Sequence, residues 1–437
     1  MTREKGRSSI LYSDALFPIL QGRIPGQLII QYTDVCNALC PQCSMRKTEK
    51  YERSKLSREE VCRIIDAAAE QRVQALSFTG GEPFLFLDEL IELIQYASFK
   101  KIPFIRTGTN GYLFSNWRRQ EYVYEIHSLA EKLARTNLRN LWISIDSADP
   151  RTHEQMRGLP GVIRGIEIAL PIFHEYRIYP AANLGINRNI GGTGRISEKM
   201  VQRDDFYREF KEAFERFYGF IIDMGFTMAN VCYPMSIPEE NAEQGESEKE
   251  GTAYGAASDN NLVSDAAHGS NLVYGAASAS NLVSFSDAEK VQVFKALMDT
   301  IPKFREEIRI FTPLVSLYSL IRQYSGSSDD SLPCRGGIDF FYVDAKEGNT
   351  YPCGYRGKEN LGKFYELNIK NLKEKRACRD CDWECFRDPS EQVGYLLEAV
   401  RNPVKLIRNK TSEYRRLWNQ DLLYFHRCSY FDGRKAR

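Results

Sequence analysis

Six short apolar runs, each followed by a longer stretch with helical spacing, restrict this chain to few architectures. The runs are QLIIQYT (27–33), ALSFTG (75–80), PFIRTGT (103–109), LWISID (141–146), AANLGIN (181–187) and TMANVCY (227–233). Between the first two, Ser57 and Glu60 have capping-box spacing, and Val61, Ile64, Ile65 and Ala68 share one helical face. LDELIELIQYA likewise offers Leu90, Ile91, Leu93 and Ile94 to cover a sheet, and helical runs recur near 120–135, 162–175 and 200–224. Strand–helix alternation of this kind predicts right-handed crossovers and a parallel sheet, either open or curved into a barrel. Chemistry in such sheets sits on the loops after the carboxyl ends of the strands.

With 437 residues, one large domain and a smaller one are expected. The net charge of +1 gives no strong nucleic-acid signal, and no run of roughly 20 apolar residues could form a transmembrane segment. The N-terminal stretch carries no signal-peptide core, so the eleven cysteines are expected in a reducing, cytoplasmic setting. Residues 255–284 repeat a decamer three times (GAASDNNLVS, DAAHGSNLVY, GAASASNLVS) with little apolar area to bury. Residues 237–285 therefore read as a surface insertion, with a substrate lid as the alternative. Residues 401–437 hold ten Lys or Arg against three acids and read as a C-terminal helix packed on the core.

The loop after the first strand, TDVCNALCPQCSM, carries Cys36, Cys40 and Cys43. CxxxCxxC spacing suits three corners of one cubane iron–sulfur cluster and leaves the fourth iron open. Zinc competes, but zinc sites favour paired CxxC halves with a fourth protein ligand, and the first histidine is His127. The second strand ends in TGGEP. There Gly80 and Gly81 allow close backbone approach, and Glu82 can accept from an ammonium group.

With CNALCPQC after one strand and TGGEP after the next, the chain resembles the radical S-adenosylmethionine (SAM) superfamily. The resemblance implies an α/β fold, a partial (β/α)6 TIM-like barrel. It also implies a 4Fe–4S cluster on Cys36, Cys40 and Cys43 that binds SAM and yields a 5′-deoxyadenosyl radical. One departure is Gln42, where an aromatic residue is common in the family. Asn110 in TGTNG would lie near the SAM ribose, although Asn110-Gly111 also reads as a plain turn. Ser144 would contact ribose or carboxylate. Arg157 would pair with the methionine carboxylate or form a surface ion pair. Asn187 and Arg188 are further ligand candidates. Cys62 and Cys232 read as buried thiols, and nothing selects His153 or His174 as an acid or base.

A second cysteine group comprises Cys334, Cys353, Cys378, Cys381 and Cys385, with CRGGIDFFYVDAKEGNTYPC (334–353) reading as a β-hairpin. A structural zinc ribbon is one reading. The spacing also resembles the twitch or SPASM extension of radical SAM enzymes. That likeness implies one auxiliary 4Fe–4S cluster on Cys334, Cys353, Cys378 and Cys381, with Cys385 able to replace either of the last two. Only Cys428 follows, too few ligands for a second one. The expected organisation is an N-terminal segment (1–26), the barrel (27–308), and a small cysteine-rich α+β extension with a helical tail (309–437). The function implied is net oxidation of a small sugar- or cyclitol-like metabolite, with the auxiliary cluster as electron acceptor and a flavodoxin or ferredoxin as donor. A maturase acting on a peptide or protein, and a non-catalytic iron–sulfur or zinc scaffold, are the alternatives.

Overall fold

The computed structural model describes residues 19, 22–40, 43, 52–197, 203–234, 282–327, 332–354, 356, 359–372, 382–404, 406 and 410–436. Gln42, Cys378, Cys381 and most of the 237–285 insertion lie outside these residues.

The expected strands form one curved sheet. β1 (Gln27–Thr33), β2 (Ala75–Gly80), β3 (Phe104–Thr109), β4 (Leu138–Ser144), β5 (Ala181–Gly185), β6 (Met228–Cys232) and β7 (Arg309–Ile310) follow one another in parallel. The sheet is α/β and unclosed, as a partial barrel requires. The barrel boundary expected at residue 308 falls one residue before β7, which pairs with β6. β8 (Phe340–Val343) adds in parallel to the free edge of β1, and β9 (Thr350–Tyr351) returns antiparallel as the expected hairpin.

Helices α1 (Arg58–Glu70), α2 (Leu87–Phe99), α3 (Tyr122–Ala134), α5 (Val162–Glu175), α6 (Arg203–Asp223) and α7 (Asp287–Phe304) cover the convex face. α1 starts where its sequence says: Ser57 Oγ accepts from Glu60 N at 3.1 Å, and Val61, Ile64, Ile65 and Ala68 are buried. The short α4 (Pro150–Arg157) is absent from the expected pattern. Its signals are Asp149, which accepts from Thr152 N at 2.8 Å, Pro150 at the first position, and Gly158 at the left-handed C-terminal position, φ 66°.

Strand alternation separates two sides of the sheet. Leu28 and Ile30, Leu76 and Phe78, and Leu141 and Ile143 join the main core under the helices. Ile29 and Trp142 belong to separate apolar clusters on the concave side. Two C-terminal pieces close that concave side. The first turn of α9 (Glu384–Arg401), with Trp383 and Phe386, packs on Ile29, Phe340 and Tyr342, covering the side a partial barrel leaves open. After α8 (Leu314–Tyr324) and α10 (Ser412–Arg427), Cys428 and Phe431 pack on Ala181, Met228 and Trp142 at the amino end of the strands. The Phe431 carbonyl accepts from Asn140 Nδ2 at 3.1 Å, and Gly433 N donates to Arg139 O at 2.7 Å. The basic tail therefore packs on the core, as read from the sequence, and it does so as the floor of the barrel. Among the described residues no helix is long and apolar enough to cross a membrane.

Candidate functional site

The cysteine loop and the Gly-Gly-Glu turn are built against each other at the carboxyl end of the sheet. Gly81 N donates to Thr33 O at 2.7 Å and Glu82 N to Val35 O at 2.8 Å. A Cβ on Gly80 would stand 1.8 Å from Thr33 O, and one on Gly81 2.2 Å from Val35 O. What the two glycines admit so closely is thus the backbone that enters the cysteine loop. Gly80 also has φ 134°, which side-chain-bearing residues rarely adopt.

Asn110 joins the same loop from the end of β3. Its Nδ2 donates to Asn37 Oδ1 at 2.9 Å and reaches Cys36 Sγ at 3.7 Å. Its Oδ1 accepts from Tyr112 N, and Gly111 takes the left-handed turn position at φ 86°. The Asn110 side chain thus shapes the turn and touches the cysteine loop.

Glu82 is fully buried and its carboxylate is already engaged. Oε2 accepts from Asn110 N at 2.5 Å and Oε1 from Phe84 N at 3.0 Å. Burial pushes its pKa up to about 7 against those hydrogen bonds. Arg157, at the end of α4, turns its fork onto Asp146. NH2 lies 3.0 Å from Oδ1, and Nε stands 2.7 Å from Oδ2, off the hydrogen-bond direction. Burial works against the Arg157 charge, but Asp146 and Cys40 outweigh it. The Arg157 carbonyl holds Leu39 N at 2.9 Å, fixing the loop between Cys36 and Cys40.

The remaining candidates serve the frame around this centre. Asn187 is buried, donating to Asp146 O and Gly185 O, both at 2.8 Å, and accepting from Asn189 N. Arg188 bonds Ser284 O and Glu289 Oε1, tying β5 to the start of α7. Ser144 ends β4, half-buried, beside Asn183. His153 Nδ1 accepts from Asp146 N at 3.0 Å, and burial lowers its pKa to about 4. Sequence reading missed Asp146, the common partner of Arg157, His153 and Asn187. Its signal was an acid two residues beyond Ser144, at the carboxyl end of a buried strand.

The loop suits a cluster ligand set. Cys36 Sγ receives Ala38 N–H at 3.4 Å beside Asn110 Nδ2, and such donors favour a thiolate. Burial pushes the Cys40 thiol up to about 12, with Arg157 pulling down and Asp146, Cys43 and Cys36 adding to the rise. A cationic group bound there would relieve that cost. Among the described residues no three His, Cys, Asp or Glu side chains are gathered tightly enough for one metal ion. Thiols on separate irons of a cube need no such crowding.

The second cysteine group lies elsewhere. Cys334, Cys353 and Cys385 all pack on the aromatic cluster of Phe340, Tyr342, Trp383 and Phe386. Cys334 Sγ accepts from Gly336 N at 3.4 Å. The Cys385 thiol donates to Glu384 Oε1 at 3.3 Å and lies near Cys232; burial raises it far above the usual thiol range. Cys232 Sγ donates to Asn183 Oδ1 at 3.5 Å on the concave face. Cys428 sits in the barrel floor. Cys62, in α1, is half-buried with its pKa raised by burial.

Residues 30–178 match the family model described as the radical SAM superfamily. A probable GTP 3′,8-cyclase from Methanopyrus kandleri is 34% identical over 154 residues, 34% of this chain and 45% of that protein. An AdoMet-dependent heme synthase from Methanosarcina barkeri is 28% identical over 148 residues, 33% of this chain and 39% of that one. The chain thus spans less than half the length of these two relatives. Among solved structures, native anSMEcpe with bound AdoMet aligns at TM-score 0.47 and 15% identity, covering 88% of this chain and 98% of that one. Streptococcus suis SuiB bound to precursor peptide SuiA aligns at TM-score 0.47 and 14% identity, covering 84% and 69%. The family match thus covers residues 30–178, about a third of this chain, and a radical SAM domain implies a 4Fe–4S cluster and SAM.

Proposed function

We propose that the chain is a radical SAM enzyme that abstracts hydrogen from a small polar metabolite, sugar- or cyclitol-like in its density of hydroxyls. The observation that carries this reading is the union of the two strand-end motifs, with Thr33 and Val35 bonded to Gly81 and Glu82. Cys36, Cys40 and Cys43 would hold the cluster, and Glu82, Asn110, Ser144 and Arg157 would surround SAM. Bound there, cluster and cofactor supply a 5′-deoxyadenosyl radical as the hydrogen-abstracting agent. The chain's own part is orientation and exclusion of water. The Arg157–Asp146 pair fixes the end of α4 against Leu39, and Glu82 fixes the turn beneath Asn110. Among the described residues, the floor at Phe431 and the side wall at Trp383 and Phe386 leave the carboxyl end of the barrel as the way in, which favours a small substrate over a long peptide.

A net oxidation needs an electron acceptor. Cys334 and Cys353, with two of Cys378, Cys381 and Cys385, would hold an auxiliary 4Fe–4S cluster for that purpose. The aromatic surroundings of Cys334, Cys353 and Cys385 support this use, since low polarity and exclusion of solvent protect a redox group. The test is anaerobic incubation of iron-loaded protein with dithionite and SAM. Formation of 5′-deoxyadenosine above a Cys40→Ala control supports the assignment, and none above that control refutes it.

A further inference from the structure

Arg106 is an unexplained charge inside the barrel. It alternates with Ile105, which is in the main core, so it faces the concave side together with Ser77 and Trp142. Its Nε donates to Ser77 Oγ at 3.1 Å and its guanidinium lies 5.5 Å from the Trp142 ring centre. Among the described residues these are its contacts, and neither terminal nitrogen has a carboxylate. Four other interior arginines are treated differently: Arg157 faces Asp146, Arg305 faces Asp421, Arg335 faces Asp339, and Arg188 faces Glu289, while Arg309 bonds only the Asp432 carbonyl among the described residues. Burial lowers the Arg106 pKa, with the nearby Cys385 thiol acting in the opposite direction.

The surroundings leave room for a partner. Gly108, two residues further along the same face, yields its space to Trp142, whose ring would stand 3.2 Å from an added Cβ. At Gly185 an added Cβ would meet only Asp146 Oδ1, at 4.0 Å. Asn183 and Asn230, joined Nδ2 to Oδ1 at 2.7 Å, line the concave side of the neighbouring strands. Arg106 lies four residues before Asn110, about 13 Å deeper along the strand than the cysteine loop. An unpaired guanidinium in a lumen is a standing desolvation cost, and an arriving oxyanion removes it. The fork of the guanidinium matches a carboxylate or a phosphoryl group through two parallel N–H bonds.

We propose that Arg106, seated between Ser77 and Trp142, is the anchor for an oxyanion group of the substrate. The inference deepens the enzyme assignment by giving the metabolite a negative charge at the end remote from the reacting C–H bond. It rests on that assignment for its biological meaning but not for its test.

The test is isothermal titration of the iron-loaded, oxygen-free protein with inorganic phosphate in one arm and propionate in the other, at matched ionic strength. Wild-type protein is expected to bind at least one anion, and Arg106→Gln to weaken that binding by about tenfold or more. Tighter phosphate points to a phosphorylated metabolite, and tighter propionate to a carboxylic acid. Should Arg106→Gln fail to fold, Arg106→Lys keeps the charge but not the fork and is expected to weaken propionate binding by about fivefold. Binding left unchanged in the folded variants, or absent from wild type, overturns the subsite. Formation of 5′-deoxyadenosine is read in parallel. Product without anion binding removes the subsite alone, whereas anion binding without product removes the enzyme assignment and keeps the subsite.

Discussion

The two cysteine groups share one device, a backbone N–H aimed at a sulfur from Ala38 or Gly336, but differ in what else surrounds them. Around Cys36 and Cys40 the surroundings are polar and directional: Ala38 N–H and Asn110 Nδ2 point at sulfur, and Arg157 lowers the cost of a thiolate at Cys40. Around Cys334, Cys353 and Cys385 the walls are Phe340, Tyr342, Trp383 and Phe386. The first setting is suited to a group that must exchange charge and ligands with a cofactor. The second shields a group from water and needs no open position. The origin of the contrast is topological. The first loop caps the carboxyl ends of parallel strands, where backbone N–H groups and polar ends collect, whereas the second lies where α9 covers the open side of the sheet.

The largest expected effect separates the two directly. Cys40→Ala should lower SAM cleavage by at least about a thousandfold and remove about four irons per chain. Cys353→Ala should remove a different set of about four and spare SAM cleavage. Iron loss from one pool in both variants would merge the two groups.

Backbone closeness and aromatic packing are the next contrast. Gly81→Ala forces a Cβ to 2.2 Å from Val35 O, so the loop must move, at a cost of about 4 kcal/mol in urea unfolding. Phe386→Ala empties a ring buried 4.7 Å from Trp383 and 5.3 Å from Phe340 and should cost about 3 kcal/mol. The sharper result is its location: Phe386→Ala should disturb only the second iron set, and Gly81→Ala only the first.

A further effect is the His153 contribution to pH dependence in the first region. Burial holds the His153 pKa at about 4, below its unfolded value, despite the opposing pull of Asp146. The stabilisation is present above the unfolded pKa of about 6.5 and is lost as pH falls towards 4. The His153 share should be on the order of 3 kcal/mol, read as the difference between wild-type and His153→Gln urea midpoints at pH 7 and pH 4, since the raised Glu82 and Glu384 carboxyls act in the opposite sense over the same range. His153→Gln should flatten that slope, and an unchanged slope would place the acid sensitivity elsewhere.

How much of this was legible in the sequence differs between the same two regions. β1 and β2 ended where their apolar runs ended, and the motifs that follow them are local, so the first site could be read as strings. β4 began three residues earlier than its apolar run because Arg139 and Asn140 look like loop. Asn140 is buried there by a bond to Phe431, 291 residues away. β5 stopped two residues early because the Asn187 amide turns back onto Gly185 O and Asp146 O. The sequence offers Arg157 the methionine carboxylate or a surface ion pair; its partner in the structure is Asp146, a pair formed by the geometry of a helix that only capping signals betray. The pairing of β8 with β1 joins Gln27 to Phe340, and no periodicity encodes a register over that separation. The role of Trp383 and Phe386 as a wall was hidden for the same reason.

The centre of the proposal is that SAM binds the cluster held by Cys36, Cys40 and Cys43. Electron paramagnetic resonance of the reduced, oxygen-free protein tests this most directly, with Cys353→Ala used to isolate the first signal. Adding SAM should change that signal in shape and position. A spectrum indifferent to SAM at saturating concentration would contradict the assignment.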